Sequence, residues 1–234
     1  MPSWRSSGGV SAGVHRGVGV TCFRGRLRER SAALAKADER AEAAAEAAEL
    51  PTIALAKEFA RRLSADAILF DEALTASPAL FRRLAPTVPG QWMQTRGGSL
   101  GVGIPGALGA QLAHPDRTVV GFTGDGGSMY TFQALWTAAR YGLPTKFVIC
   151  NNGSYKLLED NIEEYWREQR IPAHEQPEIF DLSSPAVDFV SLAGSLGVAA
   201  VRVEKPGQAE EAVAQALAHR GPFLIDLVTA KGKG

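Results

Sequence analysis

Cysteine is scarce in this chain, with Cys22 and Cys150 the only two in 234 residues. Two thiols, one of them inside an apolar run, argue against a disulfide framework and make a reducing cytoplasm the default compartment. Net charge is missing as well: 25 basic residues balance 25 acidic ones. Nothing in that balance favours nucleic acid or an anionic membrane surface as a partner. No apolar run is long enough to span a bilayer. The four histidines, His15, His114, His174 and His219, stand in no recognisable motif with a cysteine, which leaves thiol–imidazole chemistry without support. Acidic residues are absent before Glu29, and the Gly/Ser/Val/Arg-rich start has neither helical periodicity nor the continuous apolar core of a secretory signal. Residues 1–25 therefore read as a disordered or non-native tail, with an organellar transit peptide the weaker alternative. There is no internal repeat.

What is present falls into segments. Residues 26–50 are strong helix formers interspersed with charge, and their apolar positions are mostly alanine. Such a face packs weakly, so the segment reads as a charged helical linker. Pro51 opens the globular part, residues 51–230, and residues 231–234 read as a frayed tail. Within 51–230, short apolar runs alternate with helical stripes. Runs at 67–70, 118–123, 145–150, 199–203 and 222–228 predict strands. Helices are predicted over 129–139, 155–170, 188–196 and 209–219. This alternation predicts an α/β fold: a doubly wound, mostly parallel sheet with helices on both faces.

The stretch 123–152, TGDGGSMYTFQALWTAARYGLPTKFVICNN, organises the rest. One apolar strand runs into Gly124, Asp125, Gly126, Gly127 and Ser128, and the next ends at Asn151 and Asn152. Polar groups thus gather at the carboxyl ends of adjacent strands, the edge where open α/β sheets bind ligands. Asp125 and Asn152 offer hard oxygen donors, which suit Mg²⁺ or Ca²⁺. Backbone N–H groups of Gly126, Gly127 and Ser128 suit an anion, and a metal between a carboxylate and a diphosphate accounts for both. The bland alternative is a Gly-rich turn and an Asn pair that caps a helix. Upstream, Gly101 to Gly106 spells GxGxxG, yet the preceding QWMQTRGG is no apolar strand and Pro105 interrupts the turn, so a dinucleotide site is rejected.

GDG, then 24 residues, then NN resembles the cofactor motif of thiamine diphosphate (ThDP) enzymes, and the words ALWTAARYGLPTKFVICNNGSY are most similar to the benzoylformate decarboxylase and acetolactate synthase group. The resemblance covers about residues 52–229. It implies ThDP and Mg²⁺ as cofactors. Asp125, the side-chain oxygen of Asn152 and the carbonyl of Ser154 would bind the metal, and Gly126, Gly127 and Ser128 the diphosphate. Thr75 would add a hydroxyl, although Leu74 stands where relatives can have threonine. The carbonyl of Gly98 would meet the aminopyrimidine, Leu100 would prop the bent cofactor, and Leu158 would line the substrate pocket. Ordinary capping at Thr75 and ordinary core burial at Leu100 and Leu158 are the competing readings.

The chemistry implied is decarboxylation or carboligation of a 2-oxo acid, with the cofactor as electron sink. Relatives supply an activating glutamate from a separate pyrimidine-binding domain, for which residues before Pro51 are too few. No catalytic residue is assigned within the chain. Three readings follow: the cofactor domain of a decarboxylase or carboligase lacking its pyrimidine domain, one subunit of a split enzyme, or a non-catalytic ThDP-binding or assembly module. Each of the first two implies a pyrimidine-binding partner and a homo- or hetero-oligomer. The Pro-rich loop 171–185 is long enough for a lid.

Overall fold

The computed structural model describes residues 50–94, 97 and 99–229, together with Lys36 and Arg40. The chain divides into two units, Met1–Ala47 and Ala48–Gly234. Of the first, only Lys36 and Arg40 are described, both helical and exposed. The tail expected at 1–25, nearly all of the linker 26–50 and the tail at 231–234 lie outside the described residues.

The second unit opens with helix α1 (Pro51–Arg62), whose Pro51 sits where a missing N–H does no harm. Six strands follow: β1 (Ile68–Glu72), β2 (Trp92–Gln94), β3 (Val119–Gly124), β4 (Lys146–Asn151), β5 (Ala199–Val203) and β6 (Phe223–Val228). They form one sheet in the order β2-β1-β3-β4-β6-β5, parallel at every pairing. Between them run α2 (Ser77–Leu84), α3 (Gly103–Ala113), a single turn α4 (Asp125–Ser128), α5 (Ala134–Arg140), α6 (Lys156–Gln169), α7 (Phe189–Ser195) and α8 (Ala209–Ala218).

Both faces of the sheet are covered, so its central strands are apolar without alternation. Val120, Phe122 and Val148 point to a core shared with Leu55 and Phe59 of α1, Leu80 of α2 and Val213 of α8. Val119, Phe147 and Ile149 point the other way, to Ile104 and Ala107 of α3, Leu135 of α5 and Phe189 of α7. Phe59 meets Phe122 edge-on at 6.0 Å between ring centroids, a geometry that aromatic pairs favour. The doubly wound expectation is thereby met, and the strands at β3, β4, β5 and β6 lie within one residue of their predicted ends.

Three local differences matter. Residues 92–94 form a short edge strand that pairs β1, where no apolar strand was legible. Met129, Phe132, Leu135, Trp136 and Ala139 do not lie on one helix: a turn at 129–133 separates α4 from α5, and Met129 and Trp136 are exposed. Pro105 does not interrupt α3. It stands in the first turn, where a helix needs no N–H from it.

The winding reverses between β1 and β3. After β1 the chain turns to α2 on one face; after β3 it turns to α5 on the other. A crevice opens between those diverging loops, at a topological switch point of the kind where open sheets bind ligands. Among the described residues no helix is long and apolar enough to cross a membrane.

Candidate cofactor site

At that switch point lies a cavity of about 290 Å³. Its walls include Ala73, Leu74, Thr75 and Ala76 after β1, Gly124, Asp125, Gly126 and Gly127 after β3, and Asn152 and Ser154 after β4. Leu100, Tyr130, Leu157 and Leu158 complete its mouth. A second cavity, about 610 Å³, shares Asp125, Asn152, Tyr155 and Thr229 with it and reaches toward Arg202 and Glu204.

Asp125 is 6 % exposed. Its Oδ1 accepts the N–H of Gly126 at 2.8 Å, and its Oδ2 accepts that of Gly153 at 2.7 Å. Burial raises its pKa above the ordinary carboxylate value, and these backbone donors pull it back only in part. No cation pairs with it among the described residues. A buried carboxylate without a counter-charge is costly unless a cation joins it. Asp226 makes the contrast: equally buried, it accepts from Arg202 Nε at 2.8 Å and from Asn151 Nδ2 at 3.0 Å. The two asparagines are thus divided. Asn151 braces the sheet, while Asn152 faces the cavity with its Oδ1 accepting the N–H of Ser154 at 2.9 Å. Ser154 Oγ is buried beside the cavity with no hydrogen-bond partner.

The wall after β3 has no room for a side chain at Gly126. A Cβ on Gly126 would stand 2.5 Å from Cε1 of Tyr155, so only glycine lets the backbone reach this wall. The N–H of Gly126 is already given to Asp125. Ser128 is 1 % exposed, lies off the cavity wall, and donates its Oγ to the carbonyl of Asp125 at 2.7 Å, closing the turn. Thr75 does line the cavity, on a one-turn 3₁₀ segment (Leu74–Ala76). That turn is fixed from below by Asp71, which accepts from Ala73 N–H and Ser77 Oγ at 2.9 Å each and from Gln94 Nε2 at 3.1 Å. Burial raises the Asp71 pKa too. Leu74 holds φ +50, an unusual conformation for a branched side chain and a cost of order 1 kcal/mol or more. Gly98 lies outside the described residues.

Sequence reasoning passed over Glu72, Tyr155 and Lys156. Glu72 ends β1 fully buried and accepts the N–H groups of Gly101 and Gly103. Its partners are 29 and 31 residues away, so no local pattern signals it. Lys156 lines the cavity but pairs with Asp160 at 2.8 Å on its own helix.

An oxygen-donor pair, a glycine wall and an orphaned hydroxyl therefore surround one cavity at the reversal of the sheet. Residues 76–227 match the family model for the thiamine pyrophosphate enzyme, C-terminal TPP binding domain. This chain belongs to the TPP-binding family. The TPP (thiamine diphosphate) domain it carries is similar to a candidate acetolactate synthase large subunit, IlvX, of Mycobacterium tuberculosis, with 38 % identity over 69 % of this chain and 31 % of that protein. It is 37 % identical to the benzoylformate decarboxylase of Pseudomonas aeruginosa, over 70 % of this chain and 29 % of the relative. Among solved structures it resembles a thiamine diphosphate-dependent 4-hydroxybenzoylformate decarboxylase of Rhodococcus jostii, with 33 % identity, a TM-score of 0.68, and 78 % of this chain and 33 % of that chain covered. The chain spans about a third of the length of these relatives. The cofactor of this TPP-binding domain is thiamine diphosphate, and the residues around the cavity suit it: oxygen donors for its metal, a glycine wall for its diphosphate and apolar side chains for its rings.

Proposed function

We propose that this chain holds the diphosphate and metal end of ThDP in a 2-oxo-acid decarboxylase or carboligase of the benzoylformate decarboxylase or acetolactate synthase type. The observation that carries the reading is the convergence of Asp125 and Asn152, from the ends of neighbouring strands, on one cavity walled by Gly126 and Gly127. Asp125 and Asn152 would ligate Mg²⁺, with the carbonyl of Ser154. Magnesium rather than a softer ion follows from donors that are all oxygen. Gly127 would face the diphosphate and Thr75 would add a hydroxyl, while Gly126 would contribute close approach, its N–H being held by Asp125. When bound, ThDP supplies an electron sink for loss of CO₂ from a 2-oxo acid. The protein orients the cofactor, excludes water from its ring and shapes the substrate pocket, where Leu158 would contribute.

The same reading assigns a partner. Leu100, Leu157 and Leu158 are 40–44 % exposed around the cavity mouth, and α6 buries none of its residues. An apolar rim of this kind marks an interaction surface. A pyrimidine-binding domain, in the same protein or in a partner subunit, would cover it and supply the activating carboxylate, as part of a homo- or hetero-oligomer. A cytoplasmic setting suits the buried free thiol of Cys150.

Calorimetric titration with ThDP, with Mg²⁺ and with EDTA, tests the cofactor site. Metal-dependent binding by the wild type that Asp125→Ala abolishes is expected; equal ThDP affinity in both proteins would sink the assignment. Assays with benzoylformate and pyruvate test the partner. Turnover is expected only once a pyrimidine-binding domain is added, and turnover by residues 1–234 alone would require a base within them.

A further inference from the structure

Glu72 is 2 % exposed and contributes nothing to the cavity wall. Its two carboxylate oxygens are divided between two backbone donors. Oε1 accepts the N–H of Gly101, and Oε2 accepts that of Gly103. From the opposite side, Thr131 Oγ1 donates to the carbonyl of Gly101 at 2.7 Å. Gly101 is therefore gripped at both its polar backbone groups by side chains from the end of β1 and from the turn 129–133. Sterics lock the same point. Gly101 holds φ +82, and a Cβ there would stand 2.6 Å from Cβ of Tyr130; one on Gly103 would stand 2.7 Å from Glu72 Oε2.

The grip acts on Leu100. The N–H that Glu72 holds belongs to the Leu100–Gly101 peptide, so the plane of that peptide, and with it the direction of the Leu100 side chain, is set from below. Leu100 is 41 % exposed and lines the same cavity as Asp125 and Asn152, in company with Leu74, Leu157 and Leu158. A ligand whose charged end is held by the polar residues of this cavity has these apolar side chains left for its rings. A tether of bare structure could use a neutral acceptor; a buried carboxylate given two N–H groups is stiffer, because charge-assisted bonds are about twice as strong as neutral ones.

We propose that Glu72 is a positioning residue: with Thr131 it clamps Gly101 and so fixes Leu100 against the ring portion of ThDP, setting affinity for the rings without touching them. This rests on the ThDP reading above. The test compares two probes, ThDP and inorganic diphosphate, each titrated with Mg²⁺ into the full chain by calorimetry. Wild type binds both, with ThDP the tighter. Glu72→Gln turns an amide N–H₂ toward one of the two backbone donors, and Thr131→Val removes the opposite jaw. Each should weaken ThDP about tenfold, the lower end of what outer-shell partners contribute, and leave diphosphate within about twofold. Thr131→Ser keeps the hydroxyl and should behave as wild type.

Equal losses for both probes in Glu72→Gln and Thr131→Val would mean that the clamp merely supports the fold, and would overturn the proposal. Unchanged ThDP affinity in both variants would overturn it too, as would a wild type that binds ThDP no more tightly than diphosphate. A wild type that binds neither probe would remove the ThDP reading itself, and the clamp with it. Should Glu72→Gln fail to fold, the Thr131 pair carries the same comparison.

Discussion

The two ends of the sheet are built to opposite standards. At the amino end of β4, Lys146 is 4 % exposed and its ammonium donates to the carbonyls of His219 and Gly221 at 2.7 and 2.8 Å. Those carbonyls follow the last turn of α8, where a cation also suits the helix terminus. The arrangement is closed within the chain. At the carboxyl end, Asp125 has backbone donors but no cation among the described residues, Ser154 Oγ has no partner, and Leu74 is strained. A fold that fully coordinates its buried cation at one end and leaves a buried carboxylate without a counter-charge at the other separates stability from ligand binding across the sheet, even though Thr145 Oγ1, next to Lys146, lacks a partner just as Ser154 Oγ does.

Substitution at each end should therefore give crossed results. The largest effect expected is on Asp125→Ala: ThDP affinity in the presence of Mg²⁺ falls at least about 100-fold, more than an outer-shell partner alone would account for. Urea unfolding of the ligand-free variant should show stability unchanged or higher, since a desolvated carboxylate has been removed. Lys146→Met should do the reverse. The carbonyls of His219 and Gly221 lose a charged donor, at about 1–3 kcal/mol, while ThDP affinity stays within about twofold. If Lys146→Met weakens binding as much as it weakens folding, the separation is not real.

The two ends should also answer pH with opposite slopes. Burial lowers the Lys146 pKa to about 8 from an ordinary 10.5. Between those values the unfolded chain binds the extra proton, so this group's contribution to stability rises with pH there. Burial raises the pKa values of Asp71 and Asp125. Just above pH 3.8 the folded chain binds the extra protons, so their contribution falls as pH rises through that window. Melting curves of wild type, Lys146→Met and Asp125→Ala across pH 4–10 would show each slope flatten in its own variant. The smallest effect belongs to the open rim. Leu158→Ser should alter ligand-free stability by no more than about 0.5 kcal/mol, in contrast with about 2–5 kcal/mol for Ile104→Ala at a fully buried position of α3.

Much of the fold was legible because β3, β4 and β6 are buried on both faces and bounded by Gly, Pro and Asn. The elements missed are those whose partners lie far away. Trp92–Gln94 is a strand only because β1 offers it an edge. Asp71 and Glu72 extend β1 beyond its apolar run because distant donors satisfy both carboxylates. The helical spacing from Met129 to Ala139 is genuine, but spacing reports a stripe and not a continuous helix, and the turn at 129–133 divides it. At the site, the motif picked out Asp125 and Asn152, which line one cavity. It could not tell that Gly126 has spent its N–H on Asp125, or that Ser128 turns inward, since both depend on hydrogen bonds and not on residue type.

The last strand carries a consequence for synthesis. β6 does not extend the sheet at its margin; it enters between β4 and β5 and pairs with both. While the chain is still on the ribosome, β4 has an open edge of apolar residues and β5 has nothing to join. β4 pairs β3 on its other side, but its open edge and the whole of β5 stay unpaired until Phe223–Val228 emerges. That half of the molecule cannot fold as it is made, and contacts between residues near 150 and near 226 make its closure slow. In the interval an unpaired apolar edge invites other chains. Once released from the ribosome, a chain truncated before Phe223 should therefore be bound by chaperones far longer than the full chain.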